Sequence, residues 1–488
     1  MKKRTYSVLC LVLCVFFIAA TALNVTDAAE IKKERYNVLF LIADDLGVQL
    51  GCYGHPLVHS PNIDRLAAQG VRFERAYCQY PLCGPSRTSF LTGRSPDATR
   101  ILGNGNHFRS VVKSTVTLPE LFRNNGYQVR RIGKLYHYGV PGQIGTDGLD
   151  DPQSWDGVEN PRGRDKDDEP LIFSLVPGNY GSALSWLAAE GTDEEQTDGI
   201  GASMAIARLQ EYAKTPDKPF FLAVGFYRPH TPYVAPKKYY DMYPLESIKL
   251  PEVKDDPTKS EPRPAYASLS KEEANIKPEL AKQAIQGYHA ATTFMDAQVG
   301  RVVSELERLG LREKTIIVMT SDHGYHLGEH GLWRKQSLFD RVPHVPMIIV
   351  APDGKGNGTS SPRTVELLDL YPTLADLCGL TPPEYLNGVS LKPLLENPKA
   401  EWDRPAVSQV WRGNFPGHSI RTERYRYTMW DCGKSGEQLY DHDNDPNEFD
   451  NRADDPEYAN IKAGLKAALL KRIDPAVTPF TGNPRRNN

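Results

Sequence analysis

YNVLFLIADD, Tyr36 to Asp45, decides the fold. From Tyr36 to Ala43 the run is apolar, rich in branched residues and too short for a helix of ordinary length, which predicts a strand buried on both faces. It stops at Asp44-Asp45. Similar runs occur at Tyr127 to Ile132, Phe220 to Gly225, Thr315 to Met319 and Pro346 to Val350, with helical patterns between them. The longest pattern, roughly Pro278 to Leu309, sets Leu280, Ala284, Tyr288, Met295, Val299, Val302, Leu306 and Leu309 near one stripe and ends at Gly310. Strands alternating with helices predict an α/β fold, a mostly parallel sheet sandwiched by helices. Ligands of such sheets bind beyond the carboxyl ends of the strands. Polar residues gather there: Asp44-Asp45 after the first run, Lys134 and His137 after the second, Arg228 and His230 after the third, Asp322-His323 after the fourth.

At 488 residues the chain exceeds what one core holds, so a large domain over residues 31–395 and a smaller one over 396–488 are expected. The second shows short alternating runs such as Tyr425 to Met429 and a final helical pattern near Glu457 to Leu470, an antiparallel α+β unit. A polar stretch rich in Gly, Pro and Asp, Asp147 to Thr197, reads as a long excursion over the sheet that shapes a substrate rim. Its Arg162, Arg164 and Lys166 fit either contact with an acidic glycan or a solvated charged loop. The net charge of -3 gives no global field for nucleic acid or an anionic membrane.

Lys2, Lys3 and Arg4, an apolar run from Val8 to Ala20 and the small residues Ala20-Thr21-Ala22 read as a signal peptide over residues 1–22, giving a secreted or periplasmic protein without stable membrane insertion. Beyond it remain Cys52, Cys78, Cys83, Cys378 and Cys432, an odd number for a compartment where thiols pair, so one is left free or consumed by other chemistry. Asn24 and Asn357 lie in generic glycosylation sequons.

The most specific motif is Cys83-Gly84-Pro85-Ser86-Arg87, followed by Thr88-Ser89-Phe90-Leu91-Thr92-Gly93-Arg94. Proline near a helix start costs no hydrogen bond, and the early amides can face an anion. The motif resembles the signature of the type I, formylglycine-dependent sulfatases, whose cysteine is oxidised to an aldehyde. The resemblance implies an alkaline-phosphatase-like α/β fold and hydrolysis of a sulfate ester. One oxygen of the aldehyde hydrate attacks sulfur and expels the alcohol; deprotonation of the other releases sulfate. The other reading of Cys83, a buried structural thiol, requires a chance match to the whole extended motif.

Adjacent carboxylates at a strand end are often only a turn or cap. With Asp322-His323-Gly324, however, Asp44 and Asp45 make an oxygen-rich set suited to a hard cation. The resemblance implies one calcium ion held by Asp44, Asp45, Asp322 and His323 and contacting Cys83. His323 departs from the asparagine commonest in the family, yet Asp-His-Gly is shared with the branch resembling iduronate-2-sulfatase. So are Gly328-Glu329-His330-Gly331, His344-Val345-Pro346, Leu50-Gly51-Cys52-Tyr53-Gly54 and Ser60-Pro61-Asn62-Ile63-Asp64. The human-type disulfide cysteines are not placed equivalently here.

Arg87 lies one helical turn beyond Cys83, where it can hold the aldehyde hydrate and the metal carboxylates. Lys134 and His137 match the family's Gly-Lys-x-x-His; His230 sits in Arg228-Pro229-His230-Thr231-Pro232, and Lys335 follows Trp333-Arg334. The resemblance implies that Lys134, His230 and Lys335 contact the sulfate and that His230 or Lys335 protonates the leaving oxygen. His326 and His330 are four apart, but the surrounding glycines argue against a helical transition-metal site and for loop roles. Tyr325 is placed to border the substrate ring. The expected substrate is a sulfated oligosaccharide or polysaccharide, a 2-O-sulfated uronate in particular, and the expected partner a formylglycine-generating or equivalent maturation enzyme. Two other readings stand beside this one: a phosphomonoester or phosphonate hydrolase of the alkaline phosphatase superfamily, and an inactive glycan-binding relative.

Overall fold

The computed structural model describes residues 35–254 and 261–478; the expected signal peptide and the Asn24 sequon lie outside them. Residues from Tyr36 onward form one compact unit. Its centre is an eight-stranded sheet of β1 (Asn37–Asp44), β2 (Val71–Tyr77), β3 (Gln128–Gly133), β4 (Gly157–Glu159), β5 (Phe220–Pro229), β6 (Thr315–Ser321), β7 (His344–Val350) and β8 (Thr359–Glu366). The spatial order is β8-β2-β7-β6-β1-β5-β3-β4. β7 runs antiparallel to both its neighbours, whereas every other pair in the sheet is parallel.

β1 is unbroken apolar because both its faces are covered. Val38, Phe40 and Ile42 pack with Phe90, Leu91, Leu121 and Phe122 on one side. Leu39, Leu41 and Ala43 pack on the other against Ile63 and Leu66 of α1 (Pro61–Gln69) and the apolar stripe of a long helix, Pro278–Arg308. Each of the larger of these side chains, fully buried, contributes roughly 1.5–3 kcal/mol.

The reversed β7 has a consequence for the site. β6 ends at Ser321 and β7, its neighbour, begins at His344, so the chain returns without a crossover helix. The whole loop between them stays at the end of the sheet where the parallel strands finish. It carries Asp322, His323, Tyr325 and Lys335.

A second, four-stranded antiparallel sheet follows: β9 (Ala406–Arg412), β10 (Phe415–Arg421), β11 (Tyr425–Trp430) and β12 (Glu437–Asp441), in that order. One face packs Ile420, Tyr427 and Met429 on Leu465 and Leu469 of the terminal helix Ala459–Leu470. The other covers Tyr80, Leu82 and Phe339 with Val410, Trp430 and Tyr440. Gln409 donates its amide to the Gln79 carbonyl at 2.9 Å, and Trp411 donates its own to the Tyr80 hydroxyl at 2.8 Å. The second sheet is thereby bonded to the segment that leads into Cys83.

Two expectations are corrected. No two of the five cysteines of the described residues are bridged, Cys78, Cys83 and Cys378 being buried, Cys52 half-buried and Cys432 exposed, so no pairing among them leaves one over. The stretch from Asp147 to Thr197 is also more than a rim. It supplies edge strand β4, and its Asp165 is buried against the Arg228 guanidinium at 2.5 Å.

His289, within the long helix Pro278–Arg308, is buried beside His55, ring centroids 5.3 Å apart, with its Nδ1 unpartnered. Burial, with the neighbouring His55 imidazole, holds its pKa down at about 3. The unfolded chain takes up this proton below about pH 6.5 while the folded one does not, so the contribution is full above 6.5 and is lost on acidification. His289→Phe is expected to shrink the fall in unfolding free energy between pH 7 and pH 5 by about 2 kcal/mol. Denaturant unfolding at the two pH values checks this, and an equal fall in both proteins would refute it.

Candidate active site

β1 closes on Asp44 and Asp45, both fully buried. Asp45 is left-handed, φ 66°, a conformation that a short carboxylate side chain tolerates better than most. It is pinned there: its amide donates to Asp322 Oδ1 at 3.1 Å and its carbonyl accepts the Tyr288 hydroxyl at 2.8 Å. Asp322 and His323 follow β6 directly. Gly324 is required behind them, because a Cβ there would lie 2.3 Å from the Arg341 carbonyl oxygen and 2.5 Å from that of His344. A comparable close approach sets Lys134. Gly133 has φ 71°, and a Cβ on Gly225 would stand 2.0 Å from the Lys134 carbonyl oxygen, so two glycines let β3 end hard against β5.

Cys83 opens α2 (Cys83–Thr92), a helix buried along its full length. The early amides are not all free as expected: Gly84 donates to Asn104 Oδ1 at 2.9 Å and Ser86 to the Leu82 carbonyl. The Cys83 sulfur lies 3.1 Å from Lys335 Nζ, 3.4 Å from His323 Nε2 and 3.7 Å from Asp45 Oδ1. Burial alone would raise this thiol, but Lys134, Lys335 and His323 outweigh it and hold it well below the usual range. His137 reaches the same sulfur; burial pushes its pKa down to about 4, and its Nδ1 is buried without a partner.

Arg87, fully buried, ties the set together. Its Nε donates to Asp322 Oδ2 at 2.8 Å, Nη2 to Asp44 Oδ1 at 2.9 Å, and Nη1 to the carbonyls of Lys134 at 2.6 Å and Leu135 at 3.1 Å. Four of its five donors are thus committed to carboxylates and backbone. Lys134 Nζ meets Asp44 Oδ2 at 2.6 Å, and Lys335 Nζ bridges both Asp45 oxygens at 2.7 and 3.0 Å. His230 Nε2 lies 3.7 Å from Asp45 Oδ2, with Nδ1 against the Thr231 carbonyl. Asp198 accepts the amides of Tyr227 and Arg228 at 2.9 and 3.0 Å, holding this segment from below.

All ten site residues expected from the sequence therefore converge. Ligand atoms of Asp44, Asp45, Cys83 and His230 lie within 4.8 Å of one another, as do those of Asp45, Cys83, Asp322 and His323. Three carboxylates dominate, which is the chemistry of a hard divalent cation, with His323 adding one nitrogen. Burial pushes Asp322 up to about 6 in spite of Arg87, and the acids around His323 hold its imidazole at about 9. The donor set of three buried carboxylate side chains and one imidazole around one point fits a cation.

The site opens into a cleft of about 400 Å³ bordered by His137, His230, Tyr325, Lys335, Asn104 and Arg412. His326 and His330 are not in it; they sit in a short β-turn segment with rings 6.2 Å apart, and His330 stacks on Phe339 at 4.0 Å. Arg162, Arg164 and Lys166 pair with Asp167, Asp168 and Glu169 along the helical turn Arg164–Asp167, and none of the three lines the cleft. Asn104, Asp165, Asp198, Tyr288 and Arg412 were not found from sequence. Their partners are dozens to hundreds of residues away, and no local spacing marks them.

A cysteine at a buried helix start, a carboxylate cluster and the ends of a mostly parallel sheet meet in an alkaline-phosphatase-like α/β fold. A family model described as Sulfatase matches residues 36–380, and one described as N-sulphoglucosamine sulphohydrolase, C-terminal, matches residues 328–474. The chain belongs to the sulfatase family, hydrolases of sulfuric esters. It is 34% identical to human iduronate 2-sulfatase, over 84% of this chain and 87% of that one. Among solved structures it is similar to a phosphonate monoester hydrolase of Agrobacterium radiobacter, with TM-score 0.75, 24% identity and coverage of 90% and 95%. It is likewise similar to a protein described as a 2-O GAG sulfatase, with TM-score 0.70, 25% identity and coverage of 90% and 92%. No helix among the described residues is long and apolar enough to cross a membrane.

Proposed function

We propose that the protein is a secreted or periplasmic sulfatase acting on a sulfated carbohydrate, a 2-O-sulfated uronate of an oligosaccharide or polysaccharide, at a formylglycine made from Cys83 by a maturation enzyme. The observation that carries the proposal is the meeting of Cys83 with three buried carboxylates, each with an oxygen within 4.8 Å of the sulfur, and with Lys335 and His323 at 3.1 and 3.4 Å. The likeness to iduronate 2-sulfatase and to a 2-O GAG sulfatase supports the choice of sugar.

Asp44, Asp45, Asp322 and His323 would hold one calcium ion, which when bound draws charge from the sulfate oxygens. Lys134, fixed by Asp44, and Lys335, fixed by Asp45, present fixed positive charge to the sulfuryl group. His137, kept neutral by burial and facing Cys83, is the group suited to take a proton from that position. His230 is the better donor to the leaving oxygen. Its Nδ1 is anchored on Thr231, which turns Nε2 toward the cleft, whereas the Lys335 ammonium is already engaged by two carboxylate oxygens and sulfur.

Purified protein incubated with a 2-O-sulfated uronate disaccharide is expected to release sulfate, to lose that activity on chelation and to regain it with calcium. Phosphate release from an aryl phosphate at a higher rate than sulfate release from any sulfated sugar would overturn the proposal.

A further inference from the structure

One wall of the cleft carries a cation that the sulfate chemistry does not use. Arg412 ends β9, so the second sheet delivers it to the cleft, where it meets Gln336, the neighbour of Lys335. Buried or nearly buried arginines elsewhere are matched by acids: Arg87 by Asp44 and Asp322, Arg131 by Asp150, Arg228 by Asp165, Arg421 by Asp340 and Arg426 by Glu448. Arg334, beside Arg412, is matched by Glu273, Nη2 to Oε2 at 2.9 Å. Arg412 is different. Its Nη1 donates to Gln336 Oε1 and its Nη2 to the Ala267 carbonyl at 2.7 Å, and among the described residues no carboxylate pairs with it.

Two polar atoms on this wall lack any partner: Arg412 Nε and the Ser268 hydroxyl, both buried from solvent, and both residues line the cleft. A half-buried guanidinium without a counter-ion costs free energy unless a ligand supplies the negative charge. Burial and the Arg334 charge act against Arg412, which remains cationic because a guanidinium does not lose its proton in proteins. The Gly84 amide, which could have faced an anion at the other side of the cleft, is already taken by Asn104.

We infer that Arg412, with Ser268, is a specificity-determining site for a second anionic group of the substrate, a carboxylate or a further sulfate on the same glycan, bound while the ester to be cleaved lies at Cys83. A carboxylate or sulfate in the cleft accepts from an Nη of Arg412 and, as the Arg412 and Ser268 side chains turn toward it, from Nε and from the Ser268 hydroxyl, both closed to solvent in the free protein. A neutral sulfated sugar leaves both atoms unpaired and so binds less well. The inference rests on the sulfatase reading and names the residues that recognise the second anionic group of its substrate.

The test compares four substrates: a 2-O-sulfated uronate disaccharide, the same molecule with its carboxylate methyl-esterified, a disaccharide carrying a further sulfate on the neighbouring sugar, and 4-nitrophenyl sulfate. With the wild-type enzyme, kcat/KM is expected to fall by about 10- to 100-fold when the recognised anion is esterified or removed, with KM carrying most of the change. Esterification identifies the carboxylate, and removal of the further sulfate identifies the sulfate. In Arg412→Gln the preferred disaccharide and its neutralised form are expected to converge, and Arg412→Lys to recover part of the preference. Ser268→Ala, a milder change, is expected to weaken discrimination in the same direction. Equal rates on charged and neutralised sugars in the wild type, or full discrimination in folded Arg412→Gln, would overturn the inference while sulfate release still upheld the sulfatase reading. Absence of sulfate release from all four substrates by correctly matured protein would overturn both.

Discussion

Cys83→Ala is expected to lower sulfate-ester turnover by about 10⁴-fold or more, the scale on which removal of a covalent nucleophile acts. The loss is expected without unfolding. Alanine suits the start of α2, the deleted atom is a single sulfur, and Lys335 keeps both its bonds to Asp45. Steady-state kinetics beside a melting curve would separate the chemical loss from a structural one. Peptide mass spectrometry of the wild type adds an independent readout, because conversion of the side chain to an aldehyde exchanges sulfur for oxygen and removes two hydrogens. Fully active wild type with an intact thiol at position 83, or substantial turnover by Cys83→Ala, would exclude the mechanism.

Arg87→Met should be the most destabilising single change at the site. It removes a guanidinium with no solvent exposure that spans Asp44 and Asp322 and caps the carbonyls of Lys134 and Leu135. Breaking a buried ion pair from one side leaves uncompensated charge and costs about 3–5 kcal/mol. Lys134 would still face Asp44, but Asp322 would keep no arginine or lysine contact in its place. Arg87→Lys keeps the charge and loses the fork, since an ammonium cannot donate along two diverging directions at that reach. It is expected to recover part of the stability yet remain severely impaired in kcat. Denaturant unfolding with activity measured in parallel tests both variants; Arg87→Met within about 1 kcal/mol of wild type would contradict the bridging role.

The strands that line the sheet's centre were legible because two-sided burial leaves an uninterrupted apolar run, as in VLFLIA of β1. β2, VRFERAY, escaped notice, since Arg72, Glu74 and Arg75 make it read as a solvated segment although Val71, Phe73 and Ala76 face the core. β8, TSSPRTVE, reads as a loop, and its Pro362 is tolerated because the strand lies at the sheet's edge. The direction of β7 could not be read at all, because hydrophobic periodicity is the same in either sense. At the site, polar residues just past apolar runs were a sufficient signal for Asp44, Lys134, His230 and Asp322. Arg412 had none: it ends an ordinary strand of the second sheet, and its position matters only through what it lacks as a partner. The expected thiol pairing failed for a related reason, since compartment is a property of the whole chain while bridging is a matter of local distance.

The helix that begins at Cys83 has no residue at the surface. On the proposed chemistry, another protein must remove sulfur from that side chain, and once the sheet has closed no such protein can grip it. Maturation therefore belongs to the growing or still unfolded chain and competes in time with folding. A cell lacking the oxidising machinery would make copies that are sound in shape and permanently inert, beyond repair by adding that machinery afterwards.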